Sequence, residues 1–215
     1  MRYFINVWLE GISPLVPFLV LVFNMKKVKS RKDLHLLLLI YSTLLVFCVL
    51  ASVLSNEFNN IWVYNLICIS SFLTISFYFF HILKTRLRRG IVKLLIPLFT
   101  IFFIVNTFLL GYNSLFNSYS FASLSIIIST FCILYYTEKL TLMEEDRLQD
   151  SYTFWVVTSF FTYYLGSFFI FLTYQQLSSR GRIIGTLWGL HNIIFFISCS
   201  ISAFGLWRQF RLKSI

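Results

Sequence analysis

MKKVKSRKDLHLLLLIYSTLLVFCVLASVL, residues 25–54, decides the fold class. The stretch opens on Lys26, Lys27, Lys29, Arg31 and Lys32 and then runs through residues 34–54 without an Asp, Glu, Lys or Arg. A helix rises about 1.5 Å per residue, so that apolar run spans about 30 Å, the thickness of a bilayer's hydrocarbon core. Cations on one flank and grease after them are the pattern of a membrane span with its anchor.

The same reading extends outward in both directions. Apolar stretches of similar length fall near residues 8–25, 61–83, 91–111, 119–140, 153–174 and 184–207. Backbone N–H and C=O groups in lipid must be satisfied within the segment, so each is expected to be a helix. A membrane barrel would need strands of about ten residues with polar alternation, and that pattern is absent. The expectation is an all-α membrane protein, a seven-transmembrane helix bundle that fills residues 1–215 as one domain.

Composition supports a lipid solvent. Of 215 residues 58% are hydrophobic and only 12% are charged, against about 25% charged in a typical soluble domain. The formal net charge of +10 raises a nucleic-acid partner, which the distribution of charge argues against. Fifteen of the 18 Lys and Arg residues fall on alternate connections and the tail. They are the five above, then Lys84, Arg86, Arg88, Arg89 and Lys93, then Lys139 and Arg147, and finally Arg208, Arg211 and Lys213. Arg2, Arg180 and Arg182 stand on the other side. The positive-inside rule then places the N-terminus outside and the C-terminus in the cytoplasm. The first stretch, with Pro14 and Pro17 and no small-residue cleavage site, is expected to be a retained span rather than a signal peptide.

The four cysteines, Cys48, Cys68, Cys132 and Cys199, all fall in apolar stretches and form no CxxC pair. They are expected to be small buried hydrophobes. The histidines have no HxxxH or ExxH spacing, GxSxG is absent, and residues 184–207 hold no lysine for a covalent retinal. No metal and no cofactor is expected, and an enzyme is the weakest of three functional classes.

Polar groups at membrane depth are candidate functional residues. His191 and Asn192 lie about two turns into the last span, with Trp188 one turn earlier. Trp62, Asn65, Asn106 and Tyr163 can reach a similar depth from other spans, as can Glu10 and Tyr64. If they converge they form an aromatic cup with hydrogen-bonding groups, a ligand site; if they do not, they fix helix packing. Residues 138–151 hold Glu138, Glu144, Glu145, Asp146 and Asp150, five of the chain's eight acids. That segment is a solvated connector or, in the functional reading, a docking surface for a cytoplasmic partner through Glu144, Glu145, Asp146 and Asp150. Thr141 and Glu144 have capping-box spacing, which predicts a short helical turn starting there. Gly181, Gly185 and Gly189 in the last span, and Thr158, Thr162 and Gly166 in the one before, recur every four residues. Such stripes let helices approach closely, within one bundle or across a homodimer.

Two stretches, FWVVTSFFTYYLGSFFIF (154–171) and LWGLHNIIFFISCSISAFGLW (187–207), resemble the last two spans of small seven-helix proteins of Bacteroidota-type bacteria, often encoded near sensor histidine kinases. The resemblance implies a bacterial inner (plasma) membrane and a signalling role, with a sensor kinase as a partner. The kinase core itself is not in this sequence. The leading expectation is a non-enzymatic sensory or interaction module that couples a signal in the outer half of the bundle to a cytoplasmic or membrane partner. The alternative is a small-solute transporter with a central cavity. A proline-glutamine pair in matching spans, frequent in small sugar and vitamin transporters, is missing from the fifth span, which has no proline.

Overall fold

Among the described residues the chain is built of α-helices, with one short 3-10 turn. The computed structural model describes residues 8–55, 60–109, 116–142, 148–177 and 181–212, and no strand occurs among them. Helical residues 8–12 lead through a turn at Ser13 and Pro14 into α1 (Leu15–Phe23). Then come α2 (Met25–Val28), α3 (Lys32–Leu54), α4 (Ile61–Ile82), α5 (Arg86–Leu109) and α6 (Ser118–Leu142). The 3-10 turn Leu148–Asp150 precedes α7 (Tyr152–Leu177) and α8 (Gly181–Leu212).

The helices α3 to α8 are long and apolar enough to cross a membrane, which makes six. The first apolar helix, Trp8–Phe23, is shorter; its 16 residues reach only about 24 Å. The prolines explain its interruption. Pro14 stands at the N-cap of α1 and Pro17 in its first turn, where a missing N–H costs nothing because those donors have no partner within the helix. Together they end one helical segment and start the next.

Six elements close into a ring: α1 packs on α3, α3 on α4, α4 on α6, α6 on α7, α7 on α8, and α8 back on α1. The α7–α8 seam is the most extensive. α5 stands outside the ring, against α4 and α6 alone among its larger contacts. Its burial pattern follows from that position. Only Val92, Phe99 and Phe103 are buried, one stripe at helical spacing, with Phe99 against Phe72 of α4 (centroids 4.2 Å apart). α4, by contrast, buries residues over a broad face, including Val63, Cys68, Ser71, Ser76 and Phe79. Apolar side chains such as Val46, Phe80, Ile101, Phe108, Ile133 and Phe169 are left on the outside, the expected face toward lipid.

One end of the ring is tied together by polar groups. Arg31 pairs with Asp33 (2.9 Å), and the Tyr152 hydroxyl donates to Asp33, joining α3 to α7. Lys27 donates to the Phe210 carbonyl (2.6 Å), and Arg208 pairs with Asp150 (2.6 Å), joining α8 to the first loop and to the 3-10 turn. Glu138 reaches from α6 to the start of α5, accepting from the backbone N–H groups of Lys84 (2.9 Å) and Thr85 (2.7 Å), with Arg88 at 3.5 Å. A carboxylate there satisfies orphan donors at a helix N-terminus and complements its dipole.

Two expectations change here. Glu138 is not part of an acidic loop; it is buried in α6 and acts as the clamp just described. Thr141 does not open a helical turn, because α6 runs on to Leu142 and the Thr141 hydroxyl donates back to the Thr137 carbonyl (2.6 Å). Glu144, Glu145 and Asp146 lie outside the described residues.

Candidate functional site

The opposite end of the ring holds a cavity. It is enclosed by Glu10, from the helical residues that precede α1, and by residues of α3, α4, α6, α7 and α8. Room for the centre of a water molecule amounts to about 30 Å³. One water needs about 10–15 Å³ on that measure, so the space takes two waters or one slender ligand group.

The α7 and α8 walls follow from periodicity. Phe160, Tyr163, Tyr164 and Phe171 on α7, and Trp188, His191, Phe195 and Cys199 on α8, line the cavity. Steps of three, four, seven and eleven put each set on one helix face. From α4 come Tyr64, Ile67, Ser71 and Ile75, and from α3 Tyr41, Leu44 and Cys48.

The centre of the site is Glu10. Its carboxyl is buried, with 6% of the residue exposed. The Tyr64 hydroxyl donates to Oε2 at 3.1 Å, and the Trp188 side chain is a second hydrogen-bond partner. No lysine or arginine is among the described residues that line the cavity. Trp188 is in turn packed edge-on against Tyr64 (5.4 Å) and Phe116 (5.6 Å). His191 lies under it, its ring 5.0 Å from Trp188, 5.0 Å from Phe171 and 5.5 Å from Tyr163. Its Nδ1 is 3.2 Å from the buried Ser167 hydroxyl, which holds the imidazole plane.

Below the cavity the bundle is filled. The Tyr41 hydroxyl donates to Ser202 Oγ (2.6 Å) and Ser198 Oγ to the Ser159 carbonyl (2.7 Å). Tyr78, Phe79, Phe131 and Tyr135 are fully buried in that half. The cavity therefore has a floor.

Of the sequence candidates, His191, Trp188 and Tyr163 meet at this cavity. Asn192 and Asn65 are buried in the bundle without lining it, and Trp62 is half-buried against the core. Asn106 belongs to a separate cluster between α5 and α6. It donates to Asn117 Oδ1 (2.5 Å) and Ser120 Oγ (3.0 Å), while Asn117 donates to Thr107 Oγ1 (3.0 Å) and caps α6 by accepting from the Ser120 N–H (3.3 Å). That is an N-cap arrangement. Sequence reasoning missed the central part of Glu10, and Phe171 altogether; the helical spacing of Phe171 from Tyr164 and Phe160 was the signal available for the latter.

The small residues sit at α7 and α8 as follows. Gly166 faces Ile194 of α8, and Gly189 is buried. Thr158 instead faces α6, its hydroxyl 2.9 Å from that of Tyr136, and Thr162 donates back to the Thr158 carbonyl (2.9 Å). Gly185 is half-buried and Gly181 opens α8. The tightest approach is at Gly205, where an added Cβ would stand 2.2 Å from Trp155 Cβ. Asp150 is half-exposed and paired with Arg208. The four cysteines are free and buried. Among the described residues no three His, Cys, Asp or Glu side chains gather as a metal site. No protein-family model, curated protein or solved structure matches the chain.

Proposed function

We infer that this protein is a non-enzymatic sensory module of a bacterial inner membrane. It spans the bilayer seven times, the short Trp8–Phe23 helix included, with its N-terminus outside and its cation-rich end in the cytoplasm. A small ligand enters the cavity in the outer half. The α7–α8 pair passes the resulting helix shift to a sensor kinase or another membrane protein at the charged end, where Arg208 and Asp150 meet.

One observation carries this reading: a buried carboxyl, Glu10, in an aromatic cavity with no cationic side chain among its described lining residues. Burying an acid on neutral hydrogen-bond donors alone is costly, which supports a functional role for it at membrane depth. The filled layer around Tyr41, Ser202 and Phe79 favours sensing over transport, since a carrier needs a path through both halves.

The test is photo-crosslinking in cells from position 150, followed by identification of the captured protein. The expected result is a membrane kinase or a like partner whose capture changes at least twofold in Glu10→Gln. Ligand flux across proteoliposomes that is abolished by Glu10→Gln would replace this reading with the transporter.

A further inference from the structure

The cavity's chemistry narrows what it accepts, and this step rests on the ligand-binding reading above. Glu10 is the one acid among the described lining residues, and no Lys or Arg accompanies it. Its two partners, Tyr64 and Trp188, are neutral donors. They orient the carboxyl group, and no described lining residue brings a positive charge to it. The cavity is walled by the aromatic rings of Tyr64, Tyr163, Phe171 and Trp188. Aromatic faces carry the negative part of the ring quadrupole, which attracts cations and repels anions. The room, about 30 Å³ for a water-sized centre, suits an ammonium head and is too narrow for a bulky ring. Deeper walls at Leu44, Ile75 and Phe195 are apolar, which suits a short alkyl tail.

We propose that the cavity binds a small alkylammonium ion, its head against Glu10 within the aromatic walls and its alkyl tail toward Leu44 and Ile75. The ion supplies a positive charge that the described lining side chains lack. Anions are excluded by the carboxylate and the ring faces together. Neutral alcohols of the same size match the shape and not the charge.

The experiment titrates the purified full chain in detergent with ethylammonium chloride, sodium chloride holding ionic strength constant. Ethanol and sodium acetate serve as neutral and anionic probes of similar size. A saturable rise in the unfolding midpoint and a change in Trp188 fluorescence, absent in Trp188→Phe, are expected with ethylammonium alone. Glu10→Gln should weaken ethylammonium binding at least tenfold, and Tyr64→Phe, which keeps the carboxylate, by less than that. Each variant is first checked for an unchanged elution profile. Ethanol binding as well as ethylammonium, or Glu10→Gln keeping full affinity, overturns the cationic ligand while a ligand cavity stands. No saturable response to ethylammonium in the wild-type chain overturns this assignment, and the partner-capture experiment then judges the sensory reading by itself.

Discussion

Glu10 and Glu138 are both buried acids, with 6% and 2% of each residue exposed, at opposite ends of the same ring. Glu138 is saturated: two backbone N–H groups at the start of α5 and the Arg88 guanidinium surround it. Glu10 has Tyr64 and Trp188, an adjoining cavity, and no cation among the lining residues. The contrast separates a carboxylate that ties two helices together from one that borders an open space. It extends to the surroundings, since Glu10 adjoins the enclosed aromatic cavity and Glu138 does not line it.

The comparison presumes that the two ends face different compartments, and the largest expected effect tests that. In intact cells a membrane-impermeant maleimide should label Ser55→Cys and leave Ser30→Cys untouched until the membrane is opened. Both positions are exposed, and the four native cysteines are buried. The reverse pattern would put the cavity on the cytoplasmic side and end the outer-half sensing model.

Next in size is Glu138→Ala. It strips the cap from α5 and leaves Arg88 without its acid. Removing one partner of a buried charged hydrogen-bond set costs on the order of 3 kcal/mol. Thermal unfolding in detergent should show a large fall, with Glu138→Gln intermediate. A midpoint within a degree of wild type would mean that the clamp contributes nothing.

Packing density gives a smaller, graded test. At Gly205, in the filled half, a methyl group would meet Trp155 Cβ at 2.2 Å and Cγ at 2.7 Å. The α7–α8 seam must open, so Gly205→Ala should lose about 1–3 kcal/mol. At Gly166, nearer the cavity, the methyl would meet a terminal carbon of Ile194 at 3.1 Å. That side chain can give, and Ala gains about 0.5–1 kcal/mol over Gly within a helix, so Gly166→Ala should be near neutral. Equal losses at both sites would remove the difference in packing between the halves.

The spans were legible because their signal is bulk hydropathy, which position along the chain alone reveals. The stretches 34–54, 61–83, 119–140 and 153–174 coincide with α3, α4, α6 and α7 to within a few residues. α5 begins at Arg86, five residues before the expected 91, because Glu138 caps it there, a contact that spacing in sequence cannot show. The break at Pro14 was visible as two prolines, but its effect on length was not. Which helix stands outside the ring was not legible at all. α5 is apolar like its neighbours, and in lipid an apolar face says nothing about whether it meets protein. The cavity was half legible for a related reason: His191, Trp188 and Tyr163 declared themselves as polar or aromatic groups at depth. Glu10 sits near the start of the chain, where an acid can equally face water, and only the fold brings it under Tyr64.

The smallest effect on stability is expected at Glu10 itself. Glu10→Gln keeps an acceptor oxygen for the Tyr64 hydroxyl and removes an ionisable group that meets no cation among the described lining residues. Relief of that desolvation cost offsets the weaker hydrogen bond and the new amide donors, so the unfolding free energy should move by less than about 1 kcal/mol in either direction. The same change at position 138 should be clearly destabilising, because there the charge is matched by Arg88 and a helix N-terminus. Running the two substitutions side by side in the same detergent isolates the distinction. If Glu10→Gln unfolds as easily as Glu138→Gln, then Glu10 is a structural clamp of its end of the ring, and the cavity beside it is a packing defect rather than a binding site.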